Sequence, residues 1–162
     1  MAEKYDFIVV GGGSAGYAAA RTAHDAGARV AVVDGAKELG GLCILRGCMP
    51  SKTLIYSAEV LHLAQHGARF GLDIPSARAD LKALHARKQR LVAEFAEHRV
   101  AQLESPRFNL HRQRARFTGP REITLADGVV LTAPHFFVAT GSTIAPLPVP
   151  GLDKTPSLTS DD

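Results

Sequence analysis

No apolar run in this sequence approaches the roughly 18 residues that would suggest a membrane span. The first run, Phe7 to Val10, is short and ends in glycines. The start, Met1-Ala2-Glu3-Lys4-Tyr5-Asp6, lacks the basic-then-apolar layout of a secretory signal. A cytoplasmic protein with no membrane association is the expectation. Cysteine is scarce: there are two, too few for a structural disulfide framework. Internal repeats and low-complexity tracts are absent. Aromatic residues do not interleave with basic ones, although the net charge is +3 and much of the positive charge lies between Arg87 and Arg121. A nucleic-acid surface usually shows that interleaving. Phe95, Phe108 and Phe117 are spaced more like core residues. The basic stretch therefore reads as a solvated face, or as a surface beside an anionic cofactor. What remains is ordinary for a globular domain: 162 residues, 46% hydrophobic and 22% charged.

The chain opens as a β-α-β unit. Phe7 to Val10 reads as a buried parallel strand. Ser14 to Ala26, rich in alanine, reads as a helix stopped at Gly27. Arg29 to Asp34 reads as a second strand. A glycine turn at Gly40-Gly41 and a cysteine segment follow, then a helix from about Pro50 to Gln65. Ser76 is a candidate cap for a long helix running to Leu103. Leu81, Leu84, Leu91, Val92, Phe95 and Leu103 give that helix an apolar stripe. From Phe108 the pattern turns to strands: 108–111, 115–118, 122–125 and 129–132, the last two joined by the hairpin signal Ala126-Asp127-Gly128. Phe136 to Ala139 is a further apolar strand. Pro146, Pro148, Pro150 and Pro156 argue against regular structure beyond it. The expected class is α/β, with a parallel sheet, an inserted long helix and a small antiparallel β-meander.

Gly11-Gly12-Gly13-Ser14-Ala15-Gly16 matches G-x-G-x-x-G between a strand and a helix, and the acidic Asp34 ends the next strand. That context makes it a dinucleotide fingerprint. Gly11 permits the tight turn, Gly13 lets backbone approach a pyrophosphate, and Gly16 allows helix to pack on strand. The first helix offers unpaired N–H groups to phosphate. Asp34 is placed to accept hydrogen bonds from the adenosine ribose, and it would repel a 2′-phosphate. FAD and NAD share the fingerprint.

Cys43 and Cys48 form a C-x4-C pair. A metal site, inert thiols and a redox dithiol are all open readings at this point; a metal would need further ligands, and none is grouped nearby. An ideal helix over 43–48 would hold the two Cα atoms roughly 8.6 Å apart, whereas a disulfide needs less than about 7 Å. An oxidised pair thus requires an irregular first turn, which Gly47 permits. A helix starting near Cys48 is expected to lower that thiol's pKa. Lys52, one turn later, adds positive charge. His62 and His66 have the histidine spacing of zinc hydrolases, but Leu63 stands where the essential Glu would be. They read as solvent-facing helical residues.

Three ordered motifs carry a resemblance: Gly11 to Gly16, then Gly40-Gly41-Leu42-Cys43 through Gly47-Cys48-Met49-Pro50-Ser51-Lys52, then Ala139-Thr140-Gly141-Ser142. Together they resemble the class I flavoprotein pyridine nucleotide-disulfide oxidoreductases, over nearly the whole chain. The resemblance implies a Rossmann-like FAD-binding domain. Gly11, Gly13, Ser14, Ala15, Gly16, Asp34, Gly41, Leu42, Thr140 and Gly141 would hold FAD. Cys48 would be the thiolate against the flavin, Cys43 the interchange thiol, and Lys52 a neighbour of the reactive ring edge. Electrons would pass from NAD(P)H through FAD to a Cys43–Cys48 disulfide and on to a small-molecule disulfide or related acceptor. Pro50-Ser51-Lys52 resembles the dihydrolipoamide dehydrogenase and mercuric reductase branches. Leu42 stands where the family commonly has Thr, and Ile44-Leu45-Arg46 also depart from its pattern. Arg46 would tune the thiols, select an anionic substrate, or face solvent.

Family members are longer and work as homodimers. On that basis residues 1–150 are expected to be the first segment of an FAD domain and 151–162 a linker toward an NAD(P)H domain, the chain being an inactive fragment by itself. The alternative is a non-catalytic flavin-binding redox sensor or carrier.

Overall fold

The computed structural model describes residues 2–159. The central sheet is parallel, in the order β4-β3-β2-β8. Its strands are β2 (Phe7–Val10), β3 (Val30–Val33), β4 (Asn109–His111) and β8 (His135–Val138). A second sheet has the order β1-β7-β6-β5. It is built from β5 (Ala115–Gly119), β6 (Glu122–Leu125) and β7 (Val130–Thr132) as an antiparallel meander, with β1 (Glu3–Lys4) added parallel to β7. β1 has no hydrophobic pattern of its own, so sequence reading passed over it.

Side chains alternate across a strand, and that alternation builds two cores on the parallel sheet. Ile8, Ala31 and Val33 face the meander, where they meet Ile123, Leu125 and Leu131. Val9, Val30 and Val32 face the other way, against Tyr17 and Ala20 of α1 (Ser14–Asp25), with Leu103 and Phe108. α1 is the crossover between β2 and β3. It ends at Ala26, and Gly27 takes a positive φ of 87°.

The long excursion between β3 and β4 holds three helices: α2 (Leu42–Leu45), α3 (Cys48–Gln65) and α4 (Leu81–Leu103). α3 and α4 pack on one another as an arm. Only the last turn of α4 reaches the core, where Leu103 is fully buried. Several expectations are corrected here. Asp80, not Ser76, caps α4: its Oδ1 accepts from Ala83 N at 3.0 Å. An Asp one residue before the helix satisfies an orphan amide, whereas residues 76–80 are irregular. The apolar stripe of α4 is largely exposed, with Leu81 77% and Phe95 44% accessible. Of the three phenylalanines expected in the core, only Phe108 is buried. The last strand is an edge with partly exposed side chains. Beyond it, one 3-10 turn (Leu152–Lys154) forms between the prolines. Of the expected linker, 160–162 lie outside the described residues, as does Met1. Among the described residues, no helix is long and apolar enough to cross a membrane.

Candidate functional site

All four parallel strands point their carboxyl ends at one cleft. β2 delivers Gly11, β3 delivers Asp34, β4 leads to Gln113 and Arg114, and β8 leads to Thr140 and Gly141. These residues line a cavity of about 530 Å³, with Gly13, Gly41 and Leu42 closing it. Ligands of open α/β sheets bind at this end of the strands. A larger groove of about 1050 Å³ runs along α4, but it contains neither cysteine nor any glycine of the turn.

The turn is shaped by missing side chains. Gly11 has φ 103°, and a Cβ there would strike the Ala139 carbonyl oxygen. A Cβ at Gly16 would strike the Gly11 carbonyl oxygen and come within 3.1 Å of Val9. Gly41 (φ 76°) passes so close that its Cβ would sit 2.5 Å from Gly13 Cα. Two loops thus meet backbone to backbone over the start of α1. Gly13 is the helix N-cap and supplies no capping side chain. The first-turn amides of a 12-residue helix therefore remain for an anion, with the helix field behind them. This is the observation that fits a dinucleotide pyrophosphate: the cradle is one that side chains would fill.

Asp34 is already engaged. Its Oδ2 accepts from Gly12 N at 2.7 Å and its Oδ1 from Ala36 N at 2.8 Å. The carboxylate ties β3 to the glycine turn, and its remaining lone pairs face the cleft that it lines.

The cysteines lie at the break between α2 and α3. Both are free thiols. Arg46 (φ −138°) ends α2, and Gly47 precedes Cys48 at the start of α3. A Cβ on Gly47 would lie 3.2 Å from Cys43 Cα and 3.1 Å from Leu42 O. The backbone leaves helical geometry at Gly47 (φ −121°, ψ −110°), so residues 43–48 are not one continuous helix. Each sulfur is the largest influence on the acidity of the other.

Their acidities differ. Cys43 is held below the ordinary thiol range, first by the Cys48 S–H donated to its sulfur, then by the Ser14 hydroxyl, the Cys48 amide and the charge of Lys52. Cys48 is raised, because it keeps the shared proton and faces the negative Cys43. The expected lowering of Cys48 is thus corrected: the neighbouring sulfur outweighs the helix field, and the first negative charge falls on Cys43. Lys52 favours the thiolate form at both sulfurs. Arg46 pairs with Glu38 at 3.5 Å, both side chains about half exposed, and it is not among the groups that shift either thiol.

Residues 5–162 match the family model described as pyridine nucleotide-disulphide oxidoreductase. The chain belongs to this family. Among relatives of this oxidoreductase chain, a mercuric reductase from Staphylococcus aureus is 35% identical over 157 residues, covering 96% of this chain and 28% of that one. A dihydrolipoyl dehydrogenase from Thermus scotoductus is 38% identical over 147 residues, covering 91% and 31%. A solved structure, the Cu(II) complex of the HOCl-induced flavoprotein disulfide reductase RclA from Escherichia coli, superposes with a TM-score of 0.73 at 26% identity, covering 96% and 32%. The chain thus spans about three tenths of the length of these proteins.

Within this oxidoreductase fold the structure gathers Gly11, Gly13, Asp34, Gly41, Leu42, Thr140 and Gly141 on the cleft. Ser14, Ala15 and Gly16 sit in the adjoining first turn of α1. Sequence reading missed Ala36, Gln113 and Arg114 as cleft residues. It also missed that Ser14, in the glycine turn, helps lower the pKa of Cys43. Gln113 and Arg114 were findable in principle, because they follow a strand; recognising β4 as parallel to β3 was the missing step.

Proposed function

We propose that this chain is the flavin-binding and dithiol-bearing part of an NAD(P)H-dependent disulfide oxidoreductase. The single observation carrying the reading is an uncapped glycine turn beside the Cys43–Cys48 pair, with Ser14 of that turn lowering the pKa of Cys43. In this reading residues 1–150 are the first segment of the FAD domain, and 151–162 lead toward an NAD(P)H-binding domain. The full protein is a cytoplasmic homodimer. The amides at Gly13, Ser14 and Ala15 would hold the pyrophosphate of FAD, Asp34 would take its ribose, and Thr140 and Gly141 would line the cleft around it. When bound, the flavin supplies two-electron exchange between the nicotinamide and the sulfur pair.

The chain's own sulfurs do the rest. With two electrons and two protons added, the Cys43–Cys48 disulfide becomes the dithiol. The Cys43 thiolate attacks one sulfur of a substrate disulfide, forming a mixed disulfide and releasing one thiolate. Cys48 then loses its proton and attacks the Cys43 sulfur. The intramolecular disulfide re-forms, and the second substrate thiolate leaves. Both electrons end on the substrate sulfurs. Cys43 suits the first attack because it carries the first negative charge. Cys48 keeps its proton until the second. The alternative acceptor class is a thiol-seeking metal ion, as the name of the mercuric reductase relative suggests.

The test is steady-state reduction of lipoamide, other small disulfides and mercuric ion by the full-length protein with NADH or NADPH. Cys43→Ser should abolish turnover while flavin absorbance stays. A purified full-length protein with no flavin and no NAD(P)H oxidation would end the proposal.

A further inference from the structure

Beyond the dithiol, α3 carries two histidines one turn apart at its far end. The ring centroids of His62 and His66 are 4.2 Å apart, tilted by 35°. Residues four apart share a helix face. His66 Nδ1 lies 2.8 Å from the His62 carbonyl oxygen. A carbonyl only accepts, so Nδ1 bears the proton. In the neutral ring the lone pair is then on Nε2. A backbone carbonyl holding one ring nitrogen so that the other can ligate is the usual outer-shell arrangement of a metal-binding histidine. His62 is exposed and His66 is half-buried, so an ion from solvent approaches on the His62 side of the pair. His66 is also the C-cap of α3, where the negative end of an 18-residue helix favours a cation.

We propose that His62 and His66 form a two-nitrogen chelate for a divalent transition ion. Imidazole pairs suit copper, nickel and zinc, and copper(II) binds most tightly in that series. Among the described residues, no group of three or more His, Cys, Asp or Glu is assembled to hold a metal. The ion's other positions are therefore water, and it exchanges readily. The site is separate from the dithiol: His62 lies roughly 21 Å along the helix from Cys48, at 1.5 Å per residue. It stands whether or not the redox reading does.

The experiment uses the full-length chain with Cys43→Ser and Cys48→Ser, so that thiols do not compete. It is titrated with copper(II) sulfate and followed by electron paramagnetic resonance. The expected result is a stoichiometric copper(II) signal with hyperfine coupling to two nitrogens. His62→Ala and His66→Ala should each weaken that signal by at least the roughly tenfold that even an outer-shell change costs a metal site. His85→Ala, an exposed histidine of α4, should leave it unchanged. Circular dichroism of each variant checks that α3 is intact. Absence of a two-nitrogen signal, or equal affinity after His66→Ala in a helical protein, overturns the proposal.

Discussion

The parallel sheet and the α3–α4 arm treat the same kind of residue in opposite ways. Ile8, Val9, Val30 and Val32 are 0–2% accessible in the sheet, while Ile55 of α3 is 65% and Leu81 of α4 77% accessible. The sheet covers both faces of its strands, with the meander on one side and α1 on the other. The arm has only itself to pack on. Burial thus concentrates where the glycine turn must be held rigid. The thiols sit between the two regions, with Cys43 at the sheet's edge of the break and Cys48 at the root of the arm.

The sharpest way to break that contrast is Gly16→Val. Its side chain would collide with the Gly11 carbonyl and Val9. The expected outcome is loss of the folded domain, read as a vanished cooperative melting transition. Next in size is a matched pair. Ile8→Ala should cost roughly 2–5 kcal/mol, as buried isoleucine truncations do, whereas Ile55→Ala should stay within about 0.5 kcal/mol in the absence of a partner. Denaturant midpoints measure both, and equal costs would mean that the arm is covered in solution. Asp80→Ala removes the cap of α4 and should cost about 1 kcal/mol. Hydrogen exchange should place that loss in the first turns of α4, with the sheet amides unchanged.

The smallest effect on stability, and the one that probes the boundary between regions, is the acidity of Cys43. Its pKa is lowered, so its thiolate persists below the pH at which an ordinary thiol is protonated. Alkylation of Cys43 by iodoacetamide in the reduced protein should therefore have a midpoint below the ordinary thiol range. Cys48→Ala removes the largest cause and should move that midpoint upward; Ser14→Ala should move it upward by less. The sign for stability is the same: a depressed folded pKa stabilises at pH above the unfolded value, and the gain fades as pH falls through the folded one. An unmoved midpoint in Cys48→Ala would mean that the sulfurs do not share a proton.

Much of this was legible in the chain itself. The G-x-G-x-x-G turn, the strand before it, the helix after it and the acidic end of β3 are local features, because steric demands on glycine and strand periodicity act over a few residues. The two cysteines and the need for an irregular turn at Gly47 were legible for the same reason. The exposure of the α4 stripe was not, since an apolar pattern states which face is sticky and not what covers it. Nor was β1, two residues that become a strand only because β7 lies beside them.

Sequence alone determined the family motifs, their order and the close spacing of the two cysteines, all of which depend on residue type and short spacing. Tertiary structure alone decided which sulfur is the more acidic, where Arg46 points and which residues after β4 join the cleft. Those outcomes depend on distances between segments far apart in the chain. Electrostatic and hydrogen-bond energies follow such distances and leave no mark on local sequence.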